Sequence, residues 1–176
     1  MAEFTHKVPD LILMRHSKSA YPLGVTDHDR PLNDRGSRDV QAARQWFAQQ
    51  AFVIDEAWVS SARRAQQTWS GVETGVLTAA APSFAQTTIP ALYEASVGRL
   101  MTLLSQATAS TLLVVAHNPG IEQLIERLTG RDPQGWLAHI SVKYPTGAVC
   151  VLRLPTWESL SAGEAELLTY AVPRAS

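Results

Sequence analysis

A chain of 176 residues, of which 45% are hydrophobic, is long enough to form one domain with a sizeable core. A net charge of −1 and a charged fraction of 18% exclude a disordered chain and give no reason to expect nucleic-acid or membrane binding. No hydrophobic stretch approaches the roughly 20 residues that span a bilayer, and the amino terminus does not resemble a signal peptide. We therefore expect a single domain over residues 1–176, located in the cytoplasm.

The first half of the chain alternates predicted strands with predicted helices. The hydrophobic run 11–14 is typical of a strand buried on both faces, and a polar loop follows from Ser17 to about Arg35. A short strand is predicted at 57–59, and a helix from Arg64 to about Val76. A Pro-containing loop then leads to a helix over 97–106. Between the first two strands, helical spacing places four hydrophobic residues on one side: Val40, Ala43, Trp46 and Phe47.

The second half contains the strongest strand signal, the hydrophobic run 111–116. Asn118 suits the N-cap of the next helix and Pro119 its first position, and Gly130 is placed to close that helix. Two later segments, 148–154 and 166–172, are predicted to form an antiparallel pair. Strands alternating with helices predict a three-layer α/β/α sandwich with a mostly parallel central sheet.

The sequence predicts neither a metal nor a cofactor. It contains no cysteine cluster, no His-Glu-x-x-His pattern and no Walker-type glycine-rich loop. Its single cysteine, Cys150, lies in a hydrophobic run and is predicted to be a buried small hydrophobe rather than a reactive thiol.

Residues suited to phosphoryl transfer accompany four predicted strand ends or loops: Arg15-His16, Arg63-Arg64, Tyr93-Glu94 and His117-Asn118. Because ligands of open parallel sheets bind at the carboxyl ends of the strands, we expect these side chains to converge at one edge of the sheet. Two histidines, two or three arginines and one carboxylate suit phosphoryl transfer, in which catalysis is mostly positioning and charge stabilisation.

Several motifs in order along the chain resemble those of the histidine phosphatase superfamily. Arg15-His16 after a buried strand is similar to its Arg-His-Gly signature, and Arg64-Ala65-Gln66-Gln67-Thr68 matches its second motif. His117-Asn118-Pro119-Gly120 resembles its second histidine at a strand end. Three segments are similar to the small SixA-type branch, the phosphohistidine phosphatases: Asp27–Leu32 with Arg35-Gly36, Leu92–Ser96, and Tyr144–Gly147.

The resemblance implies a role for each member of the cluster. His16 would be the nucleophile, whose neutral imidazole takes the phosphoryl group before water releases it. Arg15 and Arg64 would bind phosphate oxygens through their planar forks. His117 would stabilise the transferred group from another side, with help from the N-terminus of the helix that follows it.

Glu94 is implied as the general acid and base, which would protonate the leaving group and then activate water. The alternative is a surface carboxylate without a role. Ser17 stands where the superfamily usually has glycine, and it fits if its backbone angles are ordinary. We expect its hydroxyl to contact phosphate. Asn118 is also expected to contact phosphate. For other polar residues near these motifs, the sequence leaves open whether they line the site or lie in solvent: His28, Arg30 and Arg63.

The resemblance thus implies a monomeric, metal-independent phosphatase that acts on phosphohistidine in a protein or on a related small phosphorylated substrate. The short chain lacks room for the large inserted lid of the superfamily's mutases and acid phosphatases, so an open, shallow site is expected. Two alternatives remain. One is a phosphomonoesterase or mutase-like enzyme acting on metabolites, and the other is a module that binds phosphorylated proteins without turning them over.

Overall fold

The structure, a computed structural model, describes residues 8–78 and 80–175. The amino-terminal segment, in which no signal peptide is predicted, lies outside the described residues. Within them, strands and helices follow one another in the order β1 (Asp10–Arg15), α1 (Asp34–Ala48), β2 (Ile54–Ser60), α2 (Arg63–Thr78), β3 (Ala80–Ile89), α3 (Val97–Leu104), β4 (Thr111–Ala116), α4 (Gly120–Leu128), β5 (Thr129–Arg131), α5 (Trp136–Val142), β6 (Val149–Arg153) and β7 (Ala165–Ala171).

The strands form one sheet in the order β3-β2-β4-β1-β6-β7-β5, in which β6 alone of the described strands runs against the others. At its centre, β1 pairs in parallel with β4, and Arg15 at the end of β1 lies opposite Ala116 at the end of β4. The residues that follow these two, His16 and His117, therefore leave the sheet side by side. This register brings the two predicted site histidines together.

Helices cover both faces of the sheet. On one face, α1 and α2 bury residues such as Phe47 and Trp69 against Ile12 and Val115. On the other face, α3, α4 and α5 bury a second cluster that includes Leu124. Strands covered on both faces explain the continuous hydrophobic runs in β1 and β4. The predicted three-layer sandwich is confirmed, as is the antiparallel pair formed by β6 and β7.

The long loop between β1 and α1 folds back on itself. Ser19 forms a β-bridge with Leu32, and the Asn33 side chain caps α1 by accepting a hydrogen bond from the Gly36 N–H at 2.8 Å. Gly36 lies so close to this loop that a Cβ on it would be 2.0 Å from the Lys18 carbonyl oxygen. A glycine is therefore required where α1 passes beneath the loop.

Three elements differ from the prediction. Strand β3 occupies the segment predicted as a loop; it pairs with β2 at the edge of the sheet and is largely exposed, so it shows no hydrophobic pattern. The short α5 is also absent from the prediction. Gly130 does not close α4 but lies in β5, where a Cβ would be 1.6 Å from the Gly163 carbonyl oxygen.

The predicted cap of α4 is wrong by one residue. Pro119 is the N-cap, and no side chain makes a cap hydrogen bond there. The Asn118 side chain turns to Glu122 and Tyr144 instead. Its amide is thus used to join α4 to a distant loop.

Cys150 is fully buried in β6, as predicted, and burial raises the pKa of its thiol. None of the helices in the described ranges is both long and apolar enough to cross a membrane.

Candidate active site

His16 and His117 lie next to each other at the carboxyl ends of β1 and β4. Their ring centroids are 5.0 Å apart, and the His16 N–H donates to the Ala116 carbonyl oxygen at 3.1 Å. Both side chains are almost completely buried, with 7% and 5% of their surfaces exposed. The sheet itself therefore sets the spacing of the two imidazoles.

The hydrogen bonds of His16 define its tautomer. Nδ1 is 2.7 Å from the Ser17 carbonyl oxygen, which only accepts, so Nδ1 carries the proton. Nε2 is then unprotonated and accepts a hydrogen bond from Arg64 Nε at 3.1 Å. Burial, together with the positive charges nearby, lowers the pKa of His16 to about 3. At neutral pH the imidazole is uncharged and has a lone pair on Nε2.

Arg64 is the central cation of the site. It is buried at the beginning of α2, and besides His16 it contacts Asp27 and His117. Nη1 donates to the Asp27 carbonyl oxygen at 2.6 Å, and Nη2 donates to the Asp27 carboxylate at 3.0 Å. Nη2 also lies 3.3 Å from Nδ1 of His117. One guanidinium thus connects both histidines and the β1–α1 loop.

His117 has the opposite tautomer. Its Nδ1 faces the Arg64 donor, so Nδ1 is unprotonated, and Nε2–H donates to Ser60 Oγ at 2.7 Å. Burial first, and then the charge of Arg64, lowers the pKa of His117 to about 3. Ser60 ends β2, so a third strand end holds this ring in place.

Arg15 offers a donor that the described residues leave unused. Its Nη1 donates to the Tyr144 carbonyl oxygen at 2.6 Å, whereas its buried Nε has no hydrogen-bond partner among the described residues. Burial lowers the pKa of Arg15. A buried, unpaired N–H is costly unless a ligand satisfies it. This feature fits an anion-binding site.

Ser17 adopts ordinary backbone angles, since Glu94 is the non-glycine residue with a positive φ in the described ranges. Its N–H donates to Thr68 Oγ1 at 2.9 Å. Its buried Oγ has no hydrogen-bond partner among the described residues. This oxygen lies close to Gly147, since a Cβ added there would be 3.3 Å from it. The serine fits in place of the usual glycine, and its hydroxyl is directed toward the Gly147 loop.

The amide nitrogen of Asn118 is occupied by structural contacts, whereas its buried Oδ1 has no hydrogen-bond partner among the described residues. Its amide nitrogen donates to Glu122 Oε2 at 2.8 Å and to the Tyr144 carbonyl oxygen at 3.2 Å. Tyr144 in turn donates from its hydroxyl to the Leu13 carbonyl oxygen at 2.7 Å. Asn118 thus helps to fix the Tyr144 carbonyl oxygen, which also accepts from Arg15.

Glu94 is exposed, and its carboxylate makes no hydrogen bond in the described part of the chain. Its φ of +48° is left-handed, a conformation that costs a non-glycine residue about 1–2 kcal/mol. The next residue, Ala95, is held against the start of α4, where a Cβ on Gly120 would be 2.1 Å from the Ala95 carbonyl oxygen. The structure therefore places Glu94 at the rim, outside the bonded cluster around Arg64.

Asp27 is a site residue to which the sequence assigned no role. Partial burial would raise its pKa, but hydrogen bonds from Tyr93 and Arg30 and the charge of Arg64 lower the pKa to about 2. The Tyr93 hydroxyl donates to Asp27 Oδ2 at 2.8 Å, and its ring stands edge-on to His117, with centroids 5.6 Å apart. The Asp27–Leu32 motif indicated this segment, but nothing in its spacing indicated a contact with Arg64.

The residues left open by the sequence take different positions. His28 lies at the rim, where its Nε2 is 3.0 Å from Ser61 Oγ and its ring packs against Tyr93. Arg30 ties the loop together by bonding Asp27 and the Ala20 carbonyl oxygen. Arg63 has an exposed side chain, as expected of a solvated neighbour.

Residues 11–101 match the family model of the histidine phosphatase superfamily, branch 1. The chain belongs to this superfamily. An uncharacterized protein of Mycobacterium tuberculosis strain H37Rv is 36% identical over 167 residues, which cover 92% of this chain and all of that protein. The family and the phosphatase activity predicted from the sequence are thus confirmed for this histidine phosphatase.

Solved structures show the same fold. The protein assigned as phosphohistidine phosphatase SixA of Nakamurella multipartitia superposes with a TM-score of 0.80 at 28% identity, covering 96% of this chain and 98% of that one. The protein histidine phosphatase SixA complexed with tungstate gives a TM-score of 0.72 at 24% identity, covering 93% and 97% of the two chains. The histidine phosphatase described here is therefore SixA-like, as its motifs predicted.

The donors at the strand ends suit an oxyanion rather than a cation. In the described ranges, no group of three or more His, Cys, Asp or Glu residues is arranged to hold a metal ion. The cluster instead presents two guanidinium groups beside two neutral imidazoles, an arrangement that matches phosphate oxygens.

Proposed function

We propose that the protein removes the phosphoryl group from phosphohistidine carried by another protein, through a covalent intermediate on Nε2 of His16. The observation that carries this proposal is the unprotonated His16 Nε2, held at 3.1 Å from the guanidinium of Arg64 at the end of β1. This lone pair accepts from Arg64 Nε in the unliganded site; when Arg64 turns that donor to a phosphoryl oxygen, the lone pair is released to attack phosphorus.

In the first step, His16 Nε2 forms a bond to phosphorus while the bond between phosphorus and the substrate nitrogen breaks. The substrate imidazole leaves with a proton, and Arg15 and Arg64 stabilise the charge on the equatorial oxygens. The unpaired Arg15 Nε supports its role, because a phosphate oxygen would satisfy that buried donor. In the second step, water attacks phosphorus, and His16 leaves as neutral imidazole with inorganic phosphate.

His117 contributes to both steps in this proposal. Its Nδ1 faces Arg64 Nη2 at 3.3 Å, at the position where phosphoryl oxygens would enter. A bound dianion favours the protonated ring, so that Nδ1–H would then donate to a phosphoryl oxygen. Ser17 and Asn118 were expected to contact phosphate. We assign them a supporting role instead, because the Asn118 amide bonds Glu122 and Tyr144 and the Ser17 hydroxyl faces the Gly147 loop.

Glu94 is the proposed proton carrier. Its left-handed backbone supports this role, because strained conformations are retained where they serve a site. The carboxyl group would protonate the leaving nitrogen and then accept a proton from water. A leaving imidazole needs less protonation than an alkoxide, so we expect Glu94 to matter less for phosphohistidine than for phosphoesters.

A protein substrate is favoured by the rim of the site. Tyr21 and Leu23 lie on the loop that carries Asp27, and 74% and 103% of their surfaces are exposed. Exposed hydrophobic side chains beside an active site suit contact with another protein. Two solved structures similar to this chain are of proteins assigned as phosphohistidine phosphatase SixA. We further propose that the enzyme is a cytoplasmic monomer that requires no metal.

Phosphate release from a phosphohistidine protein and from p-nitrophenyl phosphate tests this proposal. Wild type is compared with His16→Ala, Glu94→Gln and, as a control at an exposed histidine, His139→Ala. We expect His16→Ala to lose activity on both substrates, and Glu94→Gln to lose more on the phosphoester. Equal phosphate release by wild type and His16→Ala would rule out the covalent mechanism. Binding without release would instead indicate a recognition module, and preference for the phosphoester a metabolite enzyme.

Metal independence has its own measurement. Rates are determined with and without a chelator, and we expect them to be equal. Strong inhibition by the chelator would overturn that part of the proposal.

A further inference from the structure

The planar fork of Arg64 is directed at Asp27. Nη1 bonds the backbone carbonyl oxygen of Asp27 at 2.6 Å, and Nη2 bonds its carboxylate at 3.0 Å. Two parallel N–H···O bonds from one guanidinium are the arrangement in which arginine binds carboxylate or phosphate. Of the two Asp27 oxygens, the one on Nη2 is an anionic carboxylate oxygen, as a phosphoryl oxygen would be, whereas the one on Nη1 is a neutral backbone carbonyl.

Asp27 is held in this position from the loop side as well. The Tyr93 hydroxyl donates to Oδ2 at 2.8 Å, and Arg30 pairs with Oδ1. The loop is closed at its base by a hydrogen bond from the Ala20 N–H to the Pro31 carbonyl oxygen at 2.8 Å. The Asp27 side chain is nevertheless 43% exposed, so it can move away from Arg64 toward solvent without crossing the core.

We infer that the Asp27 carboxylate is the protein's own occupant of the phosphate site, and that an incoming phosphoryl group must take Nη2 of Arg64 from it. This inference rests on the proposed function in one respect, namely that Arg64 is a phosphate ligand. The carboxylate carries less charge than a phosphoryl dianion, so the dianion displaces it. After turnover the returning carboxylate competes with inorganic phosphate and speeds its release.

A purely structural role for Asp27 predicts the opposite result. If Asp27 only positioned Arg64, removing its charge would loosen the guanidinium and weaken the binding of every oxyanion. If Asp27 competes for Arg64, removing its charge strengthens oxyanion binding, because a negative neighbour within hydrogen-bonding distance of the site is lost. The direction of the change therefore separates the two roles.

Tungstate, the oxyanion bound in the SixA complex, is a suitable probe because it is not turned over. Its dissociation constant is measured by calorimetry for wild type, Asp27→Asn and the control Asp29→Asn. Asp29 lies in the same loop and carries the same charge, but it bonds Thr26 rather than Arg64. We expect about tenfold tighter binding for Asp27→Asn and a change below about twofold for Asp29→Asn. Unchanged or weaker binding by Asp27→Asn would overturn the inference.

Tyr93→Phe provides a second variant, which keeps the Asp27 charge and removes one donor to it. We expect tungstate binding to tighten here too, by less than in Asp27→Asn, and weaker binding would count against competition. Phosphate release from a phosphohistidine protein is followed in the same samples, together with its inhibition by inorganic phosphate. Inhibition should begin at lower phosphate concentrations in Asp27→Asn. A wild type that binds tungstate without releasing phosphate would refute the proposed function and leave the competition at Arg64 intact.

Discussion

Arg64 Nε donates to His16 Nε2 at 3.1 Å, so the cation proposed to bind phosphate also orients the atom proposed to attack phosphorus. The same guanidinium reaches His117 and Asp27 through its other nitrogens. A guanidinium can connect three groups in this way because its nitrogens donate in fixed, different directions within one plane.

Replacing Arg64 should therefore be far more damaging than losing one charge. We expect Arg64→Ala to reduce kcat/KM by at least about 100-fold, and Arg64→Lys to recover little of it, because an ammonium cannot donate along three fixed directions. Arg63→Lys, at the exposed neighbouring position, is the control. Steady-state kinetics on a phosphohistidine protein measures the effect, and near-normal rates for Arg64→Lys would contradict it.

The two buried histidines should make stability depend on pH. In the unfolded chain they take up protons below about pH 6.5, whereas in the folded protein burial keeps the pKa of His16 and of His117 at about 3. Their contribution is thus fully present above about pH 6.5 and is lost as the pH falls toward 3. Between about pH 6 and 4, we expect the free energy of unfolding to fall by about 1.4 kcal/mol per pH unit for each histidine.

Urea unfolding at several pH values measures this slope. His117→Gln should remove about half of it, whereas His139→Gln, at an exposed position, should leave it unchanged. A slope that is the same in His117→Gln and in wild type would show that His117 is not held neutral by burial.

Gly36 offers a test of how the β1–α1 loop is supported. A Cβ there would lie 2.0 Å from the Lys18 carbonyl oxygen, so Gly36→Ala must move α1 or the loop. We expect a loss of about 2 kcal/mol or more of stability, and lower activity. Gly98→Ala is the matched control, since a Cβ at Gly98 would meet no atom within 4 Å outside its own stretch of helix and its helical position favours alanine. Thermal unfolding of both variants decides the point, and equal melting temperatures would contradict the expected clash.

The strained backbone at Glu94 allows stability and activity to be separated. Glycine tolerates a φ of +48°, so we expect Glu94→Gly to be as stable as wild type or more stable by up to about 1 kcal/mol. Activity on p-nitrophenyl phosphate should nevertheless fall, because the carboxyl group is lost. Glu94→Ala, which loses the carboxyl group and keeps the strain, is the comparison. Full activity in Glu94→Gly would remove Glu94 from the mechanism.

The parts of the fold that could be predicted are those whose burial produces a hydrophobic pattern in the sequence. Strands β1 and β4 contain continuous hydrophobic runs, 11–14 and 112–116, because both of their faces are covered, and the ends of these strands located His16 and His117. Strand β3 was missed because it lies exposed at the sheet edge, where neither face imposes a pattern.

Within the candidate site, the residues at strand ends could also be predicted, and those in irregular loops could not. Arg15, Arg64 and the two histidines follow strand ends, so topology alone brings them together. Asp27 lies 37 residues before Arg64 in an irregular loop, and its contact depends on how that loop folds back. The rim position of Glu94 likewise depends on a single left-handed residue, which a sequence motif does not specify.

The pairing of Arg15 with Ala116 has a consequence for local opening of the molecule. The backbone that leads into the two imidazoles belongs to β1 and β4 at the centre of the sheet, where we expect amide hydrogens to exchange with solvent only when the whole domain unfolds. The Asp27 carboxylate is held by contacts with Arg64, Arg30 and Tyr93, and we expect its loop to open without the sheet. Hydrogen exchange should therefore be slowest in the strands that lead to the proposed nucleophile and fast in the Asp27 loop. The sheet would then hold the nucleophile in place while the loop over the proposed phosphate site opens and closes.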